Sequence, residues 1–174
     1  MRTLFYCLFI SSVLYGTKIF AGDTNLYEWG AIAFDAQLSI GINGGDTEVK
    51  SNQPVNLSIR LKNLSSNDNI QFLLPIAPAI DSDFSFEITS PTGRDISPAR
   101  NHLSGSASLI TIKPHESVDY KFALTEIFRF TEVGTYKIVA KRLVRKDGQV
   151  VSNTLYLNVV PGEWKKPAGS RFGF

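Results

Sequence analysis

A chain of 174 residues and 19.3 kDa, 43% hydrophobic and 20% charged, is long enough to close one ordinary core without staples. That composition excludes a disordered chain, and no stretch beyond the N-terminus approaches the roughly 18 apolar residues of a membrane-crossing helix. The formal charge of +2 includes Arg2 and Lys18; without them the basic residues equal the 16 acidic ones, which excludes the basic field that nucleic acid or an anionic membrane selects.

Arg2 and Lys18 belong to a leader. A positive start, an apolar core over residues 4–14, and Ala21-Gly22 ahead of the polar Asp23-Thr24-Asn25 form the pattern of a secretory signal peptide spanning 1–21. The expectation is an exported protein, periplasmic or extracellular, with no stable membrane insertion after cleavage. Cys7 is the only cysteine and leaves with the leader, so the exported part has no thiol chemistry, disulfide or thiolate metal site.

Residues 22–36 form a lead-in carrying Tyr27, Trp29, Ile32 and Phe34, in which Trp29 beside Gly30 is expected to anchor the open edge of a sheet. Ala36-Gln37-Leu38-Ser39-Ile40-Gly41-Ile42 alternates strictly and predicts an edge strand with Leu38, Ile40 and Ile42 inward. Asn43-Gly44-Gly45-Asp46 turns the chain. Val55, Leu57, Ile59 and Leu61 then alternate with Asn56, Ser58, Arg60 and Lys62, one face core and the other wet. A third strand over 70–74 leads into Pro75-Ile76-Ala77-Pro78-Ala79-Ile80-Asp81-Ser82-Asp83. Two prolines keep that stretch out of any central strand, so Ile76 and Ile80 either fold back or face a partner. Asp81 and Asp83 offer oxygen ligands that would meet Asn67, Asp68 and Asn69 only if the two loops came together.

Phe84, Phe86 and Ile88 alternate before Ser90-Pro91-Thr92-Gly93-Arg94 turns into Asp95-Ile96, a hairpin. Residues 97–106 lose periodicity and place Arg100, Asn101 and His102 in one loop, where a rigid scaffold usually carries its binding residues. Residues 109–112 resume as a strand, Lys113-Pro114-His115-Glu116-Ser117 turns, and Val118, Tyr120, Phe122 and Leu124 present another inward face. Ile127, Phe128 and Phe130 crowd too closely for one strand face and predict a helical turn capped by Thr125. Glu132-Val133-Gly134-Thr135-Tyr136 has the spacing of a tyrosine corner, in which Gly134 makes the turn and the Tyr136 hydroxyl bonds back to main chain. Asp147-Gly148 predicts a two-residue hairpin turn, Leu155, Leu157 and Val159 a last strand, and residues 161–174 a flexible basic tail with Trp164 free to dock back.

Seven to eight short strands with turn signals between them predict an all-β, immunoglobulin-like sandwich of two antiparallel sheets over residues 37–160. The run Gln53-Pro54-Val55-Asn56-Leu57-Ser58-Ile59-Arg60-Leu61-Lys62-Asn63, the Lys113-Pro114-His115-Glu116-Ser117 turn, the Gly134-Thr135-Tyr136 corner and Ser152-Asn153-Thr154 resemble secreted bacterial immunoglobulin-like domains. Those domains are similar in layout to a bacterial proteinase-inhibitor family known from an intracellular subtilisin inhibitor, and to cell-adhesion-related modules. The resemblance implies a sandwich and, more weakly, inhibition or adhesion.

Catalysis would have to draw on His102 and His115, the only histidines, and neither has a nucleophile or a second metal ligand at useful spacing. The sequence therefore predicts a module that is not an enzyme, holds no cofactor or metal, and binds a protein partner, an envelope protein or a protease, through Pro75, Ile76, Pro78, Ile80, Asp81, Arg100 and His102. The alternatives are a proteinase inhibitor acting through the proline-containing loop, and a structural envelope component stacking through the edge strand at 38–42.

Overall fold

The alternating stretches fold as ten strands in the computed structural model, which describes residues 28–51, 53–75, 84–99, 107–145 and 148–162. A three-stranded antiparallel sheet has the order β1 (Ala36–Ile42), β3 (Asn56–Asn63), β7 (Ser117–Ala123). Facing it, a five-stranded sheet runs β2 (Glu48–Lys50), β10 (Leu155–Val160), β8 (Gly134–Arg145), β5 (Phe84–Thr89), with β9 (Gly148–Val151) also paired to β8. A separate antiparallel ribbon joins β4 (Ile70–Pro75) to β6 (Ala107–Ile112). The protein is an immunoglobulin-like β-sandwich.

Period-two alternation builds the core, because one face of each strand must leave water. Leu38 and Ile40 of β1, Leu57, Ile59 and Leu61 of β3, Ile138 and Ala140 of β8, and Leu157 and Val159 of β10 are all buried. Between the sheets, Phe84 and Phe86 of β5 meet Tyr120 and Phe122 of β7, with Phe86 and Phe122 ring centroids 5.0 Å apart and Phe86 and Phe128 5.9 Å apart. Such tilted and edge-on contacts add to the area term that rings of this size already contribute.

Several local expectations give way to longer-range contacts. Arg60, placed by alternation on the wet face, is buried because Asp119 stands directly opposite on β7 and takes its guanidinium in a two-pronged hydrogen bond. Glu48–Lys50 is an additional strand, parallel to β10 with Val49 opposite Val159, so the larger sheet is not purely antiparallel. The turn after β7 is a 3₁₀ turn over Leu124–Glu126 with no side-chain cap; Thr125 lies inside it, and its hydroxyl accepts the Val55 N–H at 3.2 Å. Gly148 is a strand residue opposite Arg145 rather than part of the hairpin turn, and the expected partner Asp147 lies outside the described residues. A Cβ at Gly148 would stand 2.8 Å from the half-exposed Phe34 ring, which would have to shift to admit it.

The outer edge of β1, read as open, is occupied from Leu38 to Ile40. Gly30 donates its N–H to the Leu38 carbonyl at 2.9 Å, and the Asn153 side-chain amide fills both main-chain groups of Ile40, accepting its N–H at 2.8 Å and donating to its carbonyl at 3.0 Å. Ser39, polar and yet buried, gives its hydroxyl to the Glu28 carbonyl. The outward N–H groups of β2 are capped in the same manner, Glu48 by the Asp46 carboxylate and Lys50 by the Gln53 side chain. An edge so filled offers no ladder to a neighbouring chain.

Candidate functional site

The first candidate site is the pair of loops nominated by the sequence. Ile76, Pro78, Ile80, Asp81, Arg100 and His102 lie outside the described residues, as do the leader, residues 22–27 of the lead-in and the tail from 163. Their stems are described. Pro75, the last residue of β4, is paired with Ala107, the first of β6, so the residue that precedes the 76–83 stretch and the residue that follows the 100–106 stretch lie side by side at one end of the ribbon. From there the stems part. The first stretch resumes at Phe84, opposite Arg142 on β8, whose buried guanidinium carbon lies 5.6 Å from the Phe84 ring centroid. The second begins after Ala99, whose N–H bonds the Ile127 carbonyl at 2.6 Å.

At its other end the ribbon is clamped by Asn63. This fully buried amide donates to the carbonyls of Asp68 (2.7 Å) and Ile112 (3.0 Å) and accepts the Ser65 N–H (2.9 Å), tying β3, the 64–69 loop and β6 together. In that loop the Ser65 hydroxyl accepts the N–H groups of Asn67 and Asp68, an arrangement that orders the turn. Among the described residues no three His, Cys, Asp or Glu side chains come together in a metal-binding group.

The residues nominated as structural lie elsewhere. Tyr136 is buried, and its hydroxyl accepts the Glu132 N–H (2.8 Å) and donates to the Glu132 carbonyl (3.0 Å). Gly134, at φ +128°, has no room for a side chain, since a Cβ would meet Pro91 at 2.9 Å. Burial pushes the Tyr136 phenol above its usual range, with the nearby Glu132 charge adding to the rise and main-chain hydrogen bonds opposing it. Trp29 is half-buried beside β1, with the Lys62 ammonium 5.9 Å from its ring centroid.

One concavity was not anticipated. A groove of about 420 Å³ opens where β3 begins and β10 ends, walled by Val49, Pro54, Val55, Phe128, Phe130 and Val159, with Lys50, Ser51, Gln53, Thr125, Arg129 and Thr131 supplying its polar groups. No sequence motif marks it, because its walls come from β2, the 3₁₀ turn and the last strand.

Fold and site together define a β-sandwich with a two-loop stem and a separate groove. No protein-family model matches the chain, and no curated protein does. Among solved structures it is similar to the C-terminal domain of Wzt, at 13% identity and a TM-score of 0.46, over 85% of this chain and 91% of that chain.

Proposed function

We propose that this protein is an exported, non-catalytic binding module that presents the stretches 76–83 and 100–106 to a protein partner. The observation that supports the reading is the Pro75–Ala107 pair, which sets the residue before one candidate stretch beside the residue after the other. A rigid sandwich carrying adjacent loops positions contact residues at low entropic cost, and Pro75 and Pro78 reduce that cost further.

The test is capture of partners from envelope extract and culture medium by the exported protein, compared with Ile76→Asp/Ile80→Asp. The expected result is one enriched protein that the double variant loses while its melting temperature stays within a few degrees. Unfolding of the variant would place these isoleucines in the core and sink the reading. Capture of a protease with stoichiometric loss of its activity would assign the inhibitor role.

A further inference from the structure

The groove has a chemical bias. Three of its polar side chains have already committed an acceptor to main chain: Ser51 Oγ accepts the Gly162 N–H (3.0 Å), Gln53 Oε1 the Lys50 N–H (3.2 Å) and Thr125 Oγ1 the Val55 N–H (3.2 Å). Each still has a donor to offer a ligand, the two hydroxyl protons and the Gln53 amide protons, beside one lone pair not used by these bonds. Thr131 adds a further exposed hydroxyl.

The charges point the same way. Among the described residues, Lys50 and Arg129 are the only charged ones lining the groove, both are exposed, and no described carboxylate lines it. The ion pairs formed among the described residues engage Arg60, Arg94 and Lys141 and leave these two cations out. A surface that presents donors and positive charge complements a group that only accepts, and carboxylates and phosphates are such groups. The volume falls within the range of small-molecule sites, and Val49, Pro54 and the Phe128 and Phe130 floor provide an apolar wall beside the cations.

From this we propose that the groove binds a small ligand bearing a carboxylate or phosphate on an apolar body. The site is independent of the loop stem: it lies beside the Val159–Gly134 pair at the start of β8, whereas Phe84 meets Arg142 toward the other end of that strand.

The experiment is an amide NMR titration of the exported protein with benzoate, phenyl phosphate and neutral benzyl alcohol. Saturable shifts are expected at residues 49–55 and 125–131 with one or both anions, which also identifies the preferred head group, and none with the alcohol. Lys50→Gln/Arg129→Gln is expected to weaken anion binding by roughly tenfold or more, since charge-assisted hydrogen bonds are lost, while the spectrum keeps its dispersion. Lys50→Glu serves as an independent variant and should abolish binding. Absence of shifts with both anions, equal binding of benzyl alcohol, or affinity unchanged in these variants would overturn the proposal.

Discussion

The Tyr136 hydroxyl uses both of its hydrogen-bonding roles on a single residue, Glu132, inside a buried environment. Tyr136→Phe leaves the Glu132 N–H and carbonyl without that partner, and a loss of about 1–3 kcal/mol is expected in urea denaturation; an unchanged midpoint would show that the corner bond contributes nothing. The same group gives the fold an alkaline limit. Because its pKa is raised on folding, the folded state favours the protonated phenol, so its contribution is complete below the unfolded value near 10 and is lost as pH rises through the folded value. Denaturation at pH 8 and pH 11 should show a drop in stability that Tyr136→Phe reduces. The corner was legible in the sequence because Glu132, Gly134 and Tyr136 act within five residues. Arg60 was not: the carboxylate that draws it out of water is 59 residues away, and alternation reads only the strand on which a residue sits. His115, where the usual form of this turn has glycine, follows Pro114 at φ +63°, the left-handed conformation that ordinarily favours that residue.

At the scale of elements, strands long enough to alternate were readable and short or irregular ones were not. β2 has three residues with only Val49 apolar, and its identity as a strand depends on β10, more than 100 residues downstream. The hairpin of β8 and β9 was visible, but its turn was misplaced: Gly148 pairs with Arg145 as the first residue of β9 and packs beside Phe34 without a positive φ. Edge closure is the element-level feature with the sharpest consequence. Asn153 substitutes for a neighbouring strand at Ile40, so Asn153→Ala should both destabilise, by roughly 1–3 kcal/mol for the two orphaned groups, and expose a ladder that invites association. Light scattering after size-exclusion chromatography, run across a concentration series, should show the variant associating where the parent does not. A variant that keeps both its stability and its mass would show that water replaces the amide at no cost.

For the whole molecule, β8 is the common member: its twelve residues pair with β5 on one side and with β10 and β9 on the other. The β4–β6 ribbon shares no ladder with either sheet; its Ile70–Ile112 end is buried in the core, and Asn63 ties that end to β3 through the Ile112 carbonyl and two bonds to the adjoining 64–69 loop. Asn63→Ala should therefore cost about 3 kcal/mol and act unevenly: hydrogen exchange is expected to quicken in β4 and β6 well before β8, whereas uniform acceleration would make the ribbon part of a single cooperative unit. The sandwich as a class was legible because alternation and turn residues recur along the chain. The groove was not, since its cations and donors are separated by more than 70 residues and meet only through packing. The parallel pairing of β2 with β10 also bears on mechanics. Tension applied between Ala36, beside the end of β3, and Val160, beside β2 near the start of β3, would run lengthwise along the strands. Bonds such as Asn158 N–H to the Thr47 carbonyl and Ser51 N–H to the Val160 carbonyl are then sheared together instead of being unzipped one at a time, and the domain is built to resist pulling in that direction.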